Sequence, residues 1–96
     1  MPYIKKEDRE RIDELVEQLA NMIRGIGHVN YAITKFLHTI IQGDEVDYAL
    51  LNAMIGVLEC AKLELYRMVV AKYEDKKRMK NGPVSDLDAK SLEDVR

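Results

Sequence analysis

Apolar residues recur at helical spacing in three segments of the chain, and glycine-containing turns separate these segments. In the first segment they occupy positions i, i+3, i+4 and i+7, which is the spacing of a helix with one buried face. They are Ile12, Leu15, Val16, Leu19, Met22 and Ile23. The pattern predicts helix 1 over residues 6–24, with Gly25 and Gly27 in the positive-φ conformation that ends many helices.

The two later segments differ in length. The shorter one predicts helix 2 over residues 28–42, which ends at Gly43. The longer one begins after Asp47, whose carboxylate is suited to accept the free N–H groups at a helix start. It meets no strong breaker before the Asn-Gly-Pro sequence at 81–83, so it predicts helix 3 over residues 48–80, about 50 Å at the α-helical rise.

Three helices joined by short turns predict an all-α fold, namely a three-helix antiparallel (up-down-up) bundle with a long third helix, formed by residues 1–80. Residues 81–96 contain few large apolar side chains and show no sustained period. They are predicted as a C-terminal tail that is flexible unless a partner orders it, with Leu87, Leu92 and Val95 available for docking.

Helix 3 carries apolar residues on two opposite faces. Its main stripe contains Leu51, Met54, Ile55, Leu58, Ala61, Leu65, Met68 and Val69. The opposite face carries a small-residue stripe, with Val57 beside it. The small-residue stripe consists of Ala49, Ala53, Gly56 and Cys60, and Val57 brings this surface to five residues. Because a helix that is apolar nearly all round is normally buried all round, one chain cannot cover both faces. We therefore predict a homo-oligomer, most simply a two-fold dimer, with these five residues at the interface.

The composition limits the classes of function. The chain has 96 residues, 47% of them hydrophobic and 33% charged, as expected for one helix-rich globular domain rather than a disordered chain. The net charge of −2 disfavours a general nucleic-acid or membrane-surface binder, which would carry a clear positive excess. A single cysteine, no apolar signal region and no apolar run of about 18 residues together predict a cytoplasmic protein.

Two clusters combine tyrosine with lysine and arginine near opposite ends of the predicted bundle. The first comprises Tyr3, Lys5, Lys6 and Arg9, and the second comprises Tyr73, Lys76, Lys77 and Lys80. An antiparallel dimer across helix 3 would bring the two clusters together into a basic cleft with aromatic walls, which suits a phosphate-bearing or nucleotide-like ligand. The alternative is that both clusters are solvated helix ends, the second one complementing the helix dipole.

The carboxylates are the side chains of this sequence that best suit a catalytic role. Helix 1 carries Glu10, Asp13, Glu14 and Glu17, and all-α nucleotide pyrophosphohydrolases use acidic helical motifs to bind Mg²⁺. Here the acidic stripe lies opposite the apolar face and is expected to face water. Glu59 and Glu64 flank the main stripe of helix 3, and with Lys62 and Arg67 nearby, ion pairing across a helix–helix seam is the favoured interpretation.

The other reactive side chains form no recognisable motif. His28 and His38 have no metal-ligand spacing and are expected to pack or cap. Cys60 has no cation at i±3 or i±4 to activate its thiol, so packing is favoured over nucleophilic catalysis. The sequence thus favours a binding protein without a cofactor or metal over an enzyme. A metal-dependent hydrolase and an adaptor for a host protein are kept as alternatives.

Four segments carry a resemblance to a known family: MPYIKKEDRE at 1–10, NYAITKF at 30–36, GVLECAKLELYR at 56–67 and YEDKK at 73–77. Together they resemble a small uncharacterised family, a domain of unknown function found in bacteria and their tailed phages. The resemblance implies a helical protein of phage origin and no known activity. Phage proteins of this size often bind host proteins or sequester host nucleotide signals, which favours binding over catalysis by analogy.

Overall fold

The computed structural model describes residues 4–43 and 45–93, and over these residues the chain is helical and contains no strand. The helices are α1 (Lys6–Asn21), α2 (Ile26–Gln42), α3 (Tyr48–Leu65), α4 (Ala71–Asn81) and α5 (Asp86–Leu92), with a π-helical turn (Tyr66–Val70) between α3 and α4. The predicted all-α class is confirmed. None of the helices in these residues has the length and hydropathy needed to cross a membrane.

The turn between α1 and α2 is capped by side chains. The Arg24 guanidinium donates to the carbonyl oxygen of Asn21 at 2.9 Å, and the Arg24 backbone N–H donates to Nδ1 of His28 at 3.0 Å. Because these bonds satisfy the helix ends, α1 stops three residues before the predicted Arg24. The expected positive-φ stop is wrong, because Gly25 is extended, with φ −177°, and Gly27 lies inside α2.

The long third helix starts where the sequence predicts. The backbone N–H of Leu50 donates to the Asp47 carboxylate at 2.7 Å, which confirms the predicted cap. Helical backbone then continues to Asn81, with α3 and α4 joined by the π-helical turn. A π-helix bonds residue i to i+5 and so inserts one extra residue into the helix. The spacing of apolar residues gives no sign of this insertion.

The segment predicted as a tail contains a helix. Gly82 ends α4 with φ +92°, the only positive φ among the described residues, and its N–H donates to the Arg78 carbonyl oxygen at 2.9 Å. The predicted stop at this position is confirmed. After it, Ser85 caps α5 by accepting the backbone N–H of Asp88 at 3.1 Å. Leu92, near the end of α5, is 2% exposed.

The chain divides into two units, residues Met1–Val57 and Leu58–Arg96, and the division falls within α3. Within the described part of the first unit, the apolar faces of α1, α2 and the start of α3 are open to water, since Val16, Ile33 and Ile55 are 55%, 47% and 66% exposed. The packing expected for a three-helix bundle is therefore not seen among these residues. In the second unit, α4 contacts both the π-helical turn and α5.

Candidate functional site

Both faces of α3 are exposed in the single chain. On the small-residue side, Ala49, Ala53, Val57 and Cys60 are exposed, and a Cβ atom added to Gly56 would meet no atom within 4 Å. On the opposite side, the main stripe is also open. Its exposed residues include Leu51, Ile55 and Leu58. The predicted interface residues thus lie on a surface that a partner can reach.

The N-terminal basic cluster is solvated. Tyr3 lies outside the described residues, whereas Lys5 and Lys6 are exposed. Arg9 is half-buried, and its Nε donates to the carbonyl oxygen of Ile4 at 3.0 Å. The guanidinium of Arg9 therefore contributes to the local structure of the helix start as well as to the charge of this end.

The second cluster lies on α4. The ammonium nitrogen of Lys77 stands 5.6 Å from the ring centroid of Tyr73, within the range of a cation–π contact. Lys76 and Lys80 are exposed. The first cluster belongs to residues 1–57 and this one to residues 58–96, so the shared basic cleft predicted for a dimer stays a prediction.

Arg78 forms the densest set of polar contacts among the described residues, at the junction of α4 and α5. Its guanidinium donates to the Asp75 carboxylate at 2.6 Å, to the Asp88 carboxylate, and to the Ser91 hydroxyl oxygen at 2.7 Å. The second carboxylate oxygen of Asp88 accepts the backbone N–H of Val84 at 2.8 Å. Arg78 thereby holds α5 against α4, and its charge is already paired with two carboxylates.

These contacts alter the proton affinities at the junction. The backbone N–H of Val84 and the Arg78 guanidinium lower the pKa of Asp88, because both stabilise the carboxylate form. The same pairing, chiefly the hydrogen bond to Asp88, raises the pKa of Arg78. Asp88 is therefore ionised over a wider range of acidic pH than an isolated carboxyl group.

The π-helical turn aligns Tyr66 with Glu74. The Tyr66 hydroxyl donates to the Glu74 carboxylate at 2.5 Å, although the two residues are eight positions apart. In a regular α-helix eight residues correspond to about 80° of rotation beyond two full turns, and the inserted residue removes most of this offset. The hydrogen bond to the carboxylate raises the pKa of Tyr66, because it stabilises the protonated phenol.

A cleft of about 610 Å³ lies over this junction. Its polar lining comprises Tyr66, Glu74, Asp75, Lys77, Arg78 and Asp88. Because its lining carries three carboxylates and two cations, the cleft is less basic than the sequence cluster indicated. Sequence reasoning missed this junction, although one signal was present: Ser85 and Asp88 have the spacing of a helix-capping box.

The candidate catalytic residues of α3 form ion pairs along their own helix. Glu59 pairs with Lys62 at 3.1 Å and Glu64 pairs with Arg67 at 2.9 Å, both at i, i+3 spacing. Both carboxylates are thus paired along the helix itself, and the predicted pairing across a helix–helix seam stays a prediction. Over residues 4–43 and 45–93, no three side chains of His, Cys, Asp or Glu converge as a potential metal site. His28 caps the preceding turn as described above, and His38 is exposed.

Comparison with known proteins adds a family but no activity. No curated protein and no solved structure matches the chain. A family described as a domain of unknown function, DUF6899, matches residues 1–84, which include α1 to α4 and end just before α5. The resemblance to an uncharacterised family is thus confirmed, and because the match spans most of the sequence, the chain belongs to the DUF6899 family.

Proposed function

We propose that the protein is a non-enzymatic, homo-oligomeric helical module that assembles through α3. The observation that supports this proposal is the exposure of apolar side chains on both faces of α3. Ile55 on the main stripe is 66% exposed, and Val57 beside the small-residue stripe is 54% exposed. Fully burying one such side chain stabilises a protein by about 1.5–3 kcal/mol. Association of α3 helices removes this surface from water, and the small residues allow two backbones to approach closely.

The exposed apolar surface of the first unit supports the same conclusion. Large side chains on each of its helices are open to water, among them Ile12 on α1, Phe36 on α2 and Leu51 on α3. A stable protein–protein interface buries about 1,200–2,000 Å² in total, and obligate dimers often bury more. In the assembled state α1, α2 and α3 complete the antiparallel three-helix packing that the sequence predicts, because each then has a cover for its apolar face.

Light scattering with a charge substitution in the small-residue stripe tests this function. The wild-type protein is expected to have at least twice the 11.1 kDa mass of one chain. Ala53→Glu places a carboxylate in the interface and lowers the mass to that of one chain, because burying an unpaired charge is strongly unfavourable. Asn52→Glu adds the same charge in the same helical turn but on a polar flank, and it leaves the mass unchanged. A wild-type protein that is monomeric at micromolar concentration contradicts the proposal.

We further propose that the basic clusters capture an anionic, nucleotide-like molecule at clefts between subunits. The contact of Lys77 with the Tyr73 ring supports this, because it holds a cation beside an aromatic surface on which a base can stack. Together with the phage origin that the sequence resemblance implies, this contact favours an accessory role in which a host nucleotide is sequestered. The proposed ligand-binding residues are Tyr3, Lys5, Lys6, Arg9, Tyr73, Lys76, Lys77 and Lys80.

A thermal-shift panel of nucleoside mono-, di- and triphosphates tests the ligand proposal. At least one nucleotide is expected to raise the melting temperature, because a ligand that binds only the folded state stabilises it. Lys5→Ala and Lys77→Ala each reduce that shift, whereas Lys35→Ala, a lysine of α2 outside both clusters, leaves it intact. The absence of any nucleotide shift, with unchanged melting of both cluster variants, contradicts the anion site but leaves the oligomer proposal standing.

A further inference from the structure

Helices α1 and α2 form an apolar groove within residues 1–57. The groove has a volume of about 400 Å³ and is lined by apolar residues of α1, of the turn after it and of α2, namely Val16, Leu19, Ala20, Ile23, Val29, Ala32 and Ile33. Ala20 and Ala32 lie on its two walls, and neither α3 nor any later element contributes to the lining. The short side chains of the two alanines leave space for a third helix to approach both walls.

An occupant of this groove must bring an apolar surface without charges. No charged side chain lines the groove, so a charged occupant would lose its hydration without gaining an ionic partner. Helices α4 and α5 both carry several charged residues. The first part of α3, from Tyr48 to Leu58, contains no charged residue and presents the large side chains of its main stripe. Among the later helices of the chain, this part of α3 fits the groove best.

We propose that the α1–α2 groove of one copy receives residues 48–58 of α3 from a second copy, with Leu51, Met54 and Ile55 entering it. This inference rests on the proposed self-association and specifies its geometry. The three-helix bundle is then completed between two chains, which exchange α3 reciprocally. The main stripe fills the partner's groove, and the small-residue stripe on the opposite face of α3 contacts the second α3.

Two observations favour a second copy over the same chain as the source of α3. The groove is open in the single chain, where Val16 on its α1 wall is 55% exposed and Ile33 on its α2 wall is 47% exposed. The stripe proposed to fill it is open as well, since Leu51 and Ile55 on α3 are 41% and 66% exposed. Reciprocal exchange places the interface in the obligate class, in which about 2,000–5,000 Å² is buried in total.

Paired cysteines distinguish the source of the helix. In a Cys60→Ser background, Val16→Cys in the groove is combined with Ile55→Cys on α3, and the protein is treated with a short bis-maleimide. The proposal predicts covalent dimers on a denaturing gel. A matched control replaces Val16→Cys by Glu17→Cys, the neighbouring residue on the opposite, acidic face of α1. It should give about tenfold less dimer, because effective concentration depends on geometry.

Each outcome decides one proposal. A single-chain product, cross-linked internally, shows that α3 fills the groove of its own chain and overturns the exchange. Equal yields from the groove and control pairs overturn it as well. A second pair, Ala32→Cys with Ile55→Cys, provides an independent readout if the first variant loses helicity by circular dichroism. Light scattering of the untreated protein separates the two proposals. A monomeric mass contradicts self-association itself, whereas an oligomeric mass without groove cross-links contradicts only the exchange.

Discussion

The two units of the chain stabilise their helices in different ways. In residues 4–43 and 45–57, amphipathic helices leave their apolar faces uncovered, and no residue there is buried. In residues 58–93, a short polar helix is held on α4 by the Arg78 contacts and buries Leu92, the single buried side chain among the described residues. The larger apolar surface thus lies in the unit with less internal packing.

This difference separates what one chain provides for itself from what it needs from a partner. Polar contacts are directional, so a few well-placed groups can fix the seven residues of α5 within one chain. Apolar stripes have no such directionality, and they are stabilised by whichever surface covers them. We infer that residues 1–57 reach their stable packing on association, whereas the α4–α5 junction is stable in each chain separately.

Leu92→Ala is the substitution with the largest expected effect on the junction. Removing a buried leucine side chain costs about 3 kcal/mol, which raises the equilibrium population of the opened junction roughly 100-fold. Amide hydrogen exchange of residues 89–92 measures this opening directly. Leu87→Ala is the matched control, because Leu87 is on the same helix but 80% exposed, and it leaves exchange nearly unchanged. Similar exchange in both variants contradicts the assignment of Leu92 as the anchor of α5.

Gly82→Ala has the next largest effect. Gly82 has φ +92° and ψ 159°, a region that is essentially restricted to glycine, so alanine there costs about 2 kcal/mol and loosens the connection to α5.

Gly27→Ala is expected to change the stability in the opposite direction. Gly27 lies in the first turn of α2 with no atom within 4 Å of an added Cβ, and alanine there stabilises the fold by about 0.4–1 kcal/mol, because it restricts the unfolded chain. Chemical denaturation measures the free energy of unfolding of both variants, which should fall for Gly82→Ala and rise for Gly27→Ala.

Removing one helix N-cap from each unit compares the two regions, because each substitution deletes the same kind of hydrogen bond. Ser85→Ala and Asp47→Ala each delete one side-chain acceptor at a helix start, worth about 1 kcal/mol. In the seven-residue α5 this loss opens the whole helix, whereas in the much longer α3 it frays only the first turn. Backbone chemical shifts report both effects. A uniform loss of α3 helicity in Asp47→Ala contradicts this comparison.

Helical periodicity and helix-end chemistry predicted much of the fold. The starts and stops of the long helix follow from local chemistry, since Asp47 and Gly82 act through their own side chain and backbone. The end of α1 was misplaced because the side chains of Arg24 and His28 cap the turn, and periodicity does not report such bonds. The π-helical turn was not predicted for a different reason: one extra residue barely changes a short apolar pattern.

The candidate site was less accessible from sequence. A stripe of lysine and arginine indicates charge, but only geometry shows which cations are paired. Arg78 belongs by sequence to the basic end of α4, yet it pairs with Asp75 on its own helix and Asp88 on the next. Asp88 lies in the segment at 81–96 that was predicted as a flexible tail. Contacts between segments ten residues apart depend on the turn at 82–85, which sequence pattern alone did not resolve.

Acidification gives the smallest expected effect and tests the polar half of the junction. The pKa of Asp88 in the folded chain lies below its ordinary value of 3.8, so the carboxylate adds stability that is present above about pH 3.8 and is lost as the pH falls through the folded value. Asp75 and Ser91 also face Arg78, so α5 loosens and exposes Leu92 in part without detaching completely. The Leu92 methyl resonances, followed from pH 6 to pH 2, should therefore shift toward their solvent-exposed positions only in the acidic range.

In Asp88→Asn, which keeps the size of the side chain but cannot titrate, the shift is already present at pH 6 and changes less below pH 4. An identical acid response in the two proteins would mean that another carboxyl group, rather than Asp88, holds α5 on α4.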